Sequence, residues 1–243
     1  MNNMKDQKKC SGLRCLTGSD LKIIAMISML IDHVGAYILY EMNTTIMTVH
    51  GIDISIYLAS RVLGRIAFPI YAFLIAEGYR HTRNRKKYAL NMAVFAAISE
   101  IPYNLVVSGS VRCSVQNVYF TLLLGFLMIC VIDLLNDRKT IQITALAALF
   151  LISYFINSSH GYTGVIMIVV MYVLDSNRTA QALVGTSLQP RYAFASVLGF
   201  IPINMYNGER GFIKGKMAKY CFYIFYPAHL LVLYFIKKSL FGY

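Results

Sequence analysis

Asp32 and His33 stand side by side near the middle of the first long apolar run, LKIIAMISMLIDHVGAYILY at residues 21–40. Two ionisable groups at bilayer depth are costly, so they face a protein interior or a wet cavity rather than lipid. An imidazole in such a place is a candidate general base, and a neighbouring carboxylate can orient it. Read without chemistry, the same pair bridges helices through hydrogen bonds. In the second run, RVLGRIAFPIYAFLIAEGYRHT, Arg61 and Arg65 are four residues apart and share a helix face. Arg65 falls near mid-membrane and needs a carboxylate, backbone carbonyls or a ligand anion, with Asp32 and Glu100 the counter-ions at hand. Pro69 kinks that helix, and Glu77 lies at its inner end as a rim charge. The third run carries Glu100-Ile101-Pro102-Tyr103-Asn104, where Glu100 is either a general base or the counter-ion of Arg65. Asn117 opens the fourth run, as helix cap or ligand. His229 follows the kinking Pro227 by two residues in the last run, KYCFYIFYPAHLLVLYFIK, and sits at a depth similar to His33. A lone His there is a structural donor; two at one depth make a site.

The elements that must position these groups follow from composition. Hydrophobic residues make up 57% of the chain and charged ones 14%, against roughly 45–50% and 25% in soluble domains. The mean hydropathy is +0.56. The chain therefore reads as an all-α, polytopic transmembrane helical bundle, one integral-membrane domain over 20–243 behind a basic segment at 1–19. Eight apolar runs meet the length requirement or approach it, at 20–40, 56–79, 87–107, 117–135, 141–156, 161–175, 179–206 and 220–237. Gln189-Pro190-Arg191 interrupts the seventh and can split it into two half-helices.

The net charge of +12 sits mainly in short segments between the runs, the distribution of cytoplasmic loops. No basic helix or aromatic RNA motif accompanies it, which argues against nucleic acid as a partner. Lys5, Lys8, Lys9, Arg14 and Lys22 keep the amino terminus inside, and no signal-peptide cleavage pattern follows. The segment 41–55 has acidic but no basic residues and lies outside; Arg80, Arg83, Arg85, Lys86 and Lys87 place the next turn inside. Simple alternation then strands Arg210, Lys214, Lys216 and Lys219 on the outer side. Either a re-entrant element at Pro190 changes the parity, or those cations meet an anionic partner. The five cysteines are scattered, and no HExxH, CxxC, phosphate-loop or GxSxG pattern occurs. A metal centre, serine hydrolysis and ATP-driven transport are thereby disfavoured.

Several blocks in one order carry a resemblance: IDHVG (31–35), GRIAFPIYAFLIAEGYRHTRN (64–84), YALNMAVFAAISEIPYNL (88–105), QNVYFTLLLGF (116–126), MYNGERG (205–211) and YIFYPAHLLVLY (223–234). Together they resemble the TraX family, named after the conjugation protein that acetylates F-pilin, and are distantly similar to the broader membrane acyltransferases. The resemblance implies an acyltransferase of the cytoplasmic membrane that moves an acetyl group from acetyl-coenzyme A to an amine on an acceptor such as a peptide or pilin. One departure stands out: relatives tend to show Asp-Tyr-Gly before the sixth helix, where this chain has Ser159-His160-Gly161-Tyr162.

On that implied reaction, His33 is the base and Asp32 orients it, with Glu100 and His229 the further catalytic candidates. Arg65 or Asn117 polarises the thioester carbonyl, and Glu77, Tyr103 and Asn207 join them as substrate contacts. Arg80, Arg83 and Lys87 offer cations to the coenzyme phosphates. Asp32 and His33 diverge by about 100° on a helix, so they can serve different partners. A proton-coupled transporter would place the same groups at mid-membrane, and a non-catalytic scaffold would tolerate loss of His33.

Overall fold

A computed structural model describes residues 14–42, 45–49, 52–189 and 193–242. Residues 1–13 of the basic segment and Pro190-Arg191 lie outside the described residues. The bundle opens with α1 (Gly18–Val34), capped by Thr17: its side chain accepts from the Asp20 amide, and the Asp20 carboxylate accepts from the Thr17 amide. The helix runs on into a π-helical turn, Gly35–Leu39, directly after Asp32 and His33. Strands β1 (Thr45–Val49) and β2 (Ile52–Ser55) then form a small antiparallel hairpin. It is a local addition to the expected all-α bundle.

The second crossing is made of α2 (Ile56–Gly64) and α3 (Ala67–His81), broken at Arg65-Ile66. Pro69 lacks the N–H that would bond the Arg65 carbonyl, so the ladder opens one turn ahead of it. Next come α4 (Arg85–Ser108), α5 (Val118–Leu134), α6 (Lys139–Ile156) and α7 (Gly161–Val173). A pair of short helices, α8 (Arg178–Ser187) and α9 (Ala193–Asn204), precedes the long α10 (Lys216–Phe241). Among the described residues five stretches are long and apolar enough to cross a membrane: Gly18–Leu39, Ile56–His81, Arg85–Ser108, Lys139–Ile156 and Met217–Phe241. Three shorter apolar helices lie at Val118–Leu134, Gly161–Val173 and Ala195–Asn204. Phe73, Phe126, Ile70, Met167, Ile168 and Leu230 are fully buried, whereas Ile98, Ile101, Leu151, Phe155 and Phe235 point outward. Apolar exposure of that kind is what a lipid-facing surface requires.

Hydrogen bonds fix which ends share a face. The Leu16 amide bonds the Met205 carbonyl, the Asn207 amide the Leu16 carbonyl, and the Gly18 amide the Glu209 carbonyl. Ser19 donates to the Arg210 carbonyl and accepts from the Ile213 amide. The loop after α9 therefore lies against the start of α1. Arg80, at the end of α3, pairs with Asp175 and donates to the Tyr172 carbonyl, so α8 sets out from that same face. The turn that follows α8 reaches Met167 within α7, where the Gln189 side-chain amide meets the thioether at 3.8 Å. From there α9 comes back to Tyr206, whose hydroxyl bonds Glu77 at 3.1 Å. The two short helices of the seventh run thus set out from this face and return to it. Arg210, Lys214 and Lys219 join the start of α1 and the turn after α3 on one basic face.

Candidate functional site

Close approach of α1 and α2 builds the floor of the site. Gly64 lies directly against the Asp32 side chain and Gly35 against Ser60, so a Cβ at either glycine would collide with its neighbour. Small residues at a crossing let two backbones come this near. The Ser28 hydroxyl donates to the Leu63 carbonyl at 2.6 Å and to that of Gly64 at 3.2 Å, satisfying acceptors left open where α2 ends.

The approach brings two guanidinium groups onto one carboxylate. Arg61 Nη1 lies 2.9 Å from Asp32 Oδ2 and donates to the Asp32 carbonyl at 3.2 Å, while Arg65 Nη2 lies 3.3 Å from Oδ1. Asp32 is therefore committed to the arginines, and the expectation that it orients His33 gives way to the divergence of adjacent helical side chains. Of the two counter-ions weighed for Arg65, Asp32 is the one it meets.

His33 turns to α10 instead. Its Nδ1 lies 2.7 Å from His229 Nε2, and His229 Nδ1 lies 2.7 Å from the Phe225 carbonyl. The rings are near parallel, 8° between planes with centroids 5.0 Å apart. This geometry assigns the tautomers of the neutral pair. A carbonyl only accepts, so His229 carries its proton on Nδ1 and accepts at Nε2. His33 must then donate from Nδ1, which leaves its Nε2 with a free lone pair. Pro227, two residues before His229 on α10, withholds an N–H from the Tyr223 carbonyl, and the Tyr119 hydroxyl donates there instead at 3.2 Å.

His33, Asp32 and Arg65 line a cavity of about 650 Å³. The cavity extends to the basic face, where Gly18, Lys22, His81, Arg210 and Lys219 border it. His160 also lines it, with its ring stacked on Phe68 at 3.8 Å between centroids. Gly164 permits that fit, since a Cβ there would meet His160, Phe68 and Thr121 together. The residue noted only as a departure from the family pattern thus stands at the chamber wall.

The remaining candidates are spread. Glu100 accepts from the Asn117 side-chain amide at 2.6 Å and its backbone amide at 3.4 Å, which makes Glu100 the partner of a helix cap, not of Arg65. Asn117 accepts in turn from the Tyr119 amide and donates to the Ala96 carbonyl. Neither borders the cavity, and Tyr103 is buried beside them on α4. Glu77 does border it, and accepts from Arg80, His81 and Tyr206 at 3.3, 3.0 and 3.1 Å. Burial and that carboxylate push the Tyr206 phenol up, so it stays a donor. Asn207 spends its side-chain oxygen on the Glu209 amide, shaping the loop. Arg80 is tied to Glu77 and Asp175, and Arg83 is exposed away from the cavity lining. Of the three cations expected to meet the coenzyme, only Lys87 is near the mouth, within the field of Lys219. Among the described residues no group of three or more His, Cys, Asp or Glu side chains could hold a metal ion.

Fold and site together define a multi-helix membrane protein with a chamber that holds Asp32, His33 and Arg65 and extends to its basic face. The sequence profile of the TraX protein family matches residues 17–237, and the chain belongs to that family. It is similar to the probable fimbrial assembly protein FimC, serogroup H1, of Dichelobacter nodosus, with 28% identity over 248 residues that cover 90% of this chain and 95% of the relative. No solved structure matches it.

Proposed function

We propose that this chain is an integral-membrane acetyltransferase that moves an acetyl group from acetyl-coenzyme A to an amine. The observation that carries the reading is the unprotonated His33 Nε2, set by the relay through His229 to the Phe225 carbonyl, in a chamber that Arg65 also lines. In the reaction the amine nitrogen bonds to the thioester carbonyl carbon while His33 Nε2 takes a proton from that nitrogen. Negative charge gathers on the carbonyl oxygen, and the Arg65 guanidinium, which lines the chamber, stabilises it. The carbon–sulfur bond then breaks, and the proton passes from His33 to the departing thiolate. An amide and a free thiol leave, and His33 is neutral again. His229 positions the base and shares its transient charge.

The basic face is cytoplasmic on this reading, in keeping with the positive-inside rule. Similarity to a fimbrial assembly protein supports a pilin-type subunit, acylated at its amino terminus, as the acceptor. The test supplies purified protein in detergent with labelled acetyl-coenzyme A and peptides bearing free amino termini. Wild type should release thiol and label a peptide, and His33→Ala should lower the rate about a thousandfold. A folded wild type that does neither overturns the reading; substrate flux in proteoliposomes without the donor would replace it with a transporter.

A further inference from the structure

Cations without an anion among the described residues border the mouth of the chamber. Lys22, Arg210 and Lys219 line the cavity, and Lys87 lies close enough to Lys219 for the two charges to repel. Lys22 feels the field of Arg210, and Lys219 that of Lys87, like charges that repel. Among the described residues none of the four takes part in an ion pair. The nearby carboxylates are otherwise engaged or turned to solvent: Glu77 holds Arg80, His81 and Tyr206, Asp20 caps α1, and Glu209 is exposed. The neighbours these cations do have are rings. Lys22 lies 5.8 Å from the Phe222 centroid, and Lys219 lies 5.9 and 5.6 Å from those of Tyr220 and Tyr223. Phe222 and Tyr223 border the cavity themselves. Uncompensated like charges beside flat aromatic faces suit a polyanion that carries a planar base.

Distance adds a second constraint. Lys22 precedes His33 by eleven residues on α1, and Lys219 precedes His229 by ten on α10. At about 1.5 Å per residue the cations stand about 16 and 15 Å along the helix axes from the histidine pair. A pantetheine arm has about thirteen bonds between phosphate and sulfur, which at extended-chain spacing covers about 15 Å. We infer that Lys22, Lys87, Arg210 and Lys219 form a phosphate-binding collar for the phosphoadenosine end of a coenzyme-A thioester, with the arm reaching down the chamber to His33. The inference rests on the acetyltransferase reading for the thioester; the collar itself is a statement about phosphate.

Calorimetric titration of the purified full chain, in a neutral detergent, with coenzyme A, 3′-dephospho-coenzyme A and adenosine 3′,5′-bisphosphate tests it. Coenzyme A and the bisphosphate should bind, loss of the 3′-phosphate should weaken binding about tenfold, and Arg210→Ala and Lys219→Ala should each do the same. Arg83→Ala, which removes an exposed cation away from the cavity lining, should change neither affinity. A parallel measurement in nanodiscs compares phosphatidylcholine with phosphatidylglycerol. If the collar variants lose phosphatidylglycerol retention while wild type binds none of the nucleotides, the collar is a lipid-headgroup site and the inference fails. It fails too if Arg210→Ala with Lys219→Ala leaves coenzyme affinity intact. Coenzyme binding that depends on the collar, together with no acetyl transfer to any acceptor, would uphold the collar and sink the acetyltransferase reading.

Discussion

Two charged clusters, one in the rim network at the end of α3 and one at the chamber floor where α1 meets α2, are built on different principles. In the rim network, apart from the collar cations, the carboxylates are matched among the described residues. Glu77 takes Arg80, His81 and Tyr206, Arg80 also takes Asp175, and Asp133 takes Arg85 and Tyr79. At the floor Asp32 is shared by two arginines, and His33 ends a hydrogen-bond chain with an open lone pair. A closed network holds helices together; an open one leaves valence for a ligand. The contrast predicts that changes at the floor remove function, whereas changes at the rim cost stability.

Gly64→Ala should have the largest effect. The added methyl group collides with the Cβ of Asp32, a rigid point that cannot swing aside, so α2 must back away from α1. Both arginine contacts then lengthen at once. Acetyl transfer should fall by a hundredfold or more, on the order of losing the charge stabilisation itself, with a lowered unfolding midpoint in detergent. Activity within threefold of wild type would show that the arginine triad is dispensable. A smaller loss, about tenfold, is expected for Arg65→Lys, which keeps the charge but not the planar fork. The rate of thiol release should drop while coenzyme affinity stays level, since Arg65 lies at the floor and the phosphates do not reach it.

How much of this was readable in the chain depends on whether the signal is local. The apolar runs were, because length and hydropathy are local properties, and Arg61 with Arg65 could be placed on one face by their spacing alone. The return of the seventh run could not, because its two short helices are sent back by tertiary anchors: Leu16 to Met205 and Asn207, and Tyr206 to Glu77. His33 and His229 are 196 residues apart, and similar depth was the only hint that they meet. His160 stood out only as a departure from the family pattern, and no local pattern says that Gly164 tucks it against Phe68. The run of cations at 80–87 was the strongest linear charge signal, and the fold divides it. Folding neutralises Arg80 and Arg85 against Asp175, Glu77 and Asp133, while the unpaired collar is gathered from Lys22, Lys87, Arg210 and Lys219, which sequence separates.

The smallest expected effect is the one that separates the two clusters most cleanly. Arg80→Ala removes ion pairs to Glu77 and Asp175 and a hydrogen bond to the Tyr172 carbonyl that ties α3 to α7. The side chain is partly solvated, so the stability cost should be about 1 kcal/mol, no more than an accessible ion-pair network of this kind supplies. That is a fall of a few degrees in the unfolding midpoint, larger at low salt than at high salt because the pairs are screened. Acetyl transfer should stay within twofold of wild type, because Arg80 neither borders the chamber nor reaches the floor. A large loss of coenzyme affinity in this variant would erase the distinction between rim and collar and return Arg80 to the binding surface that the bare sequence suggested.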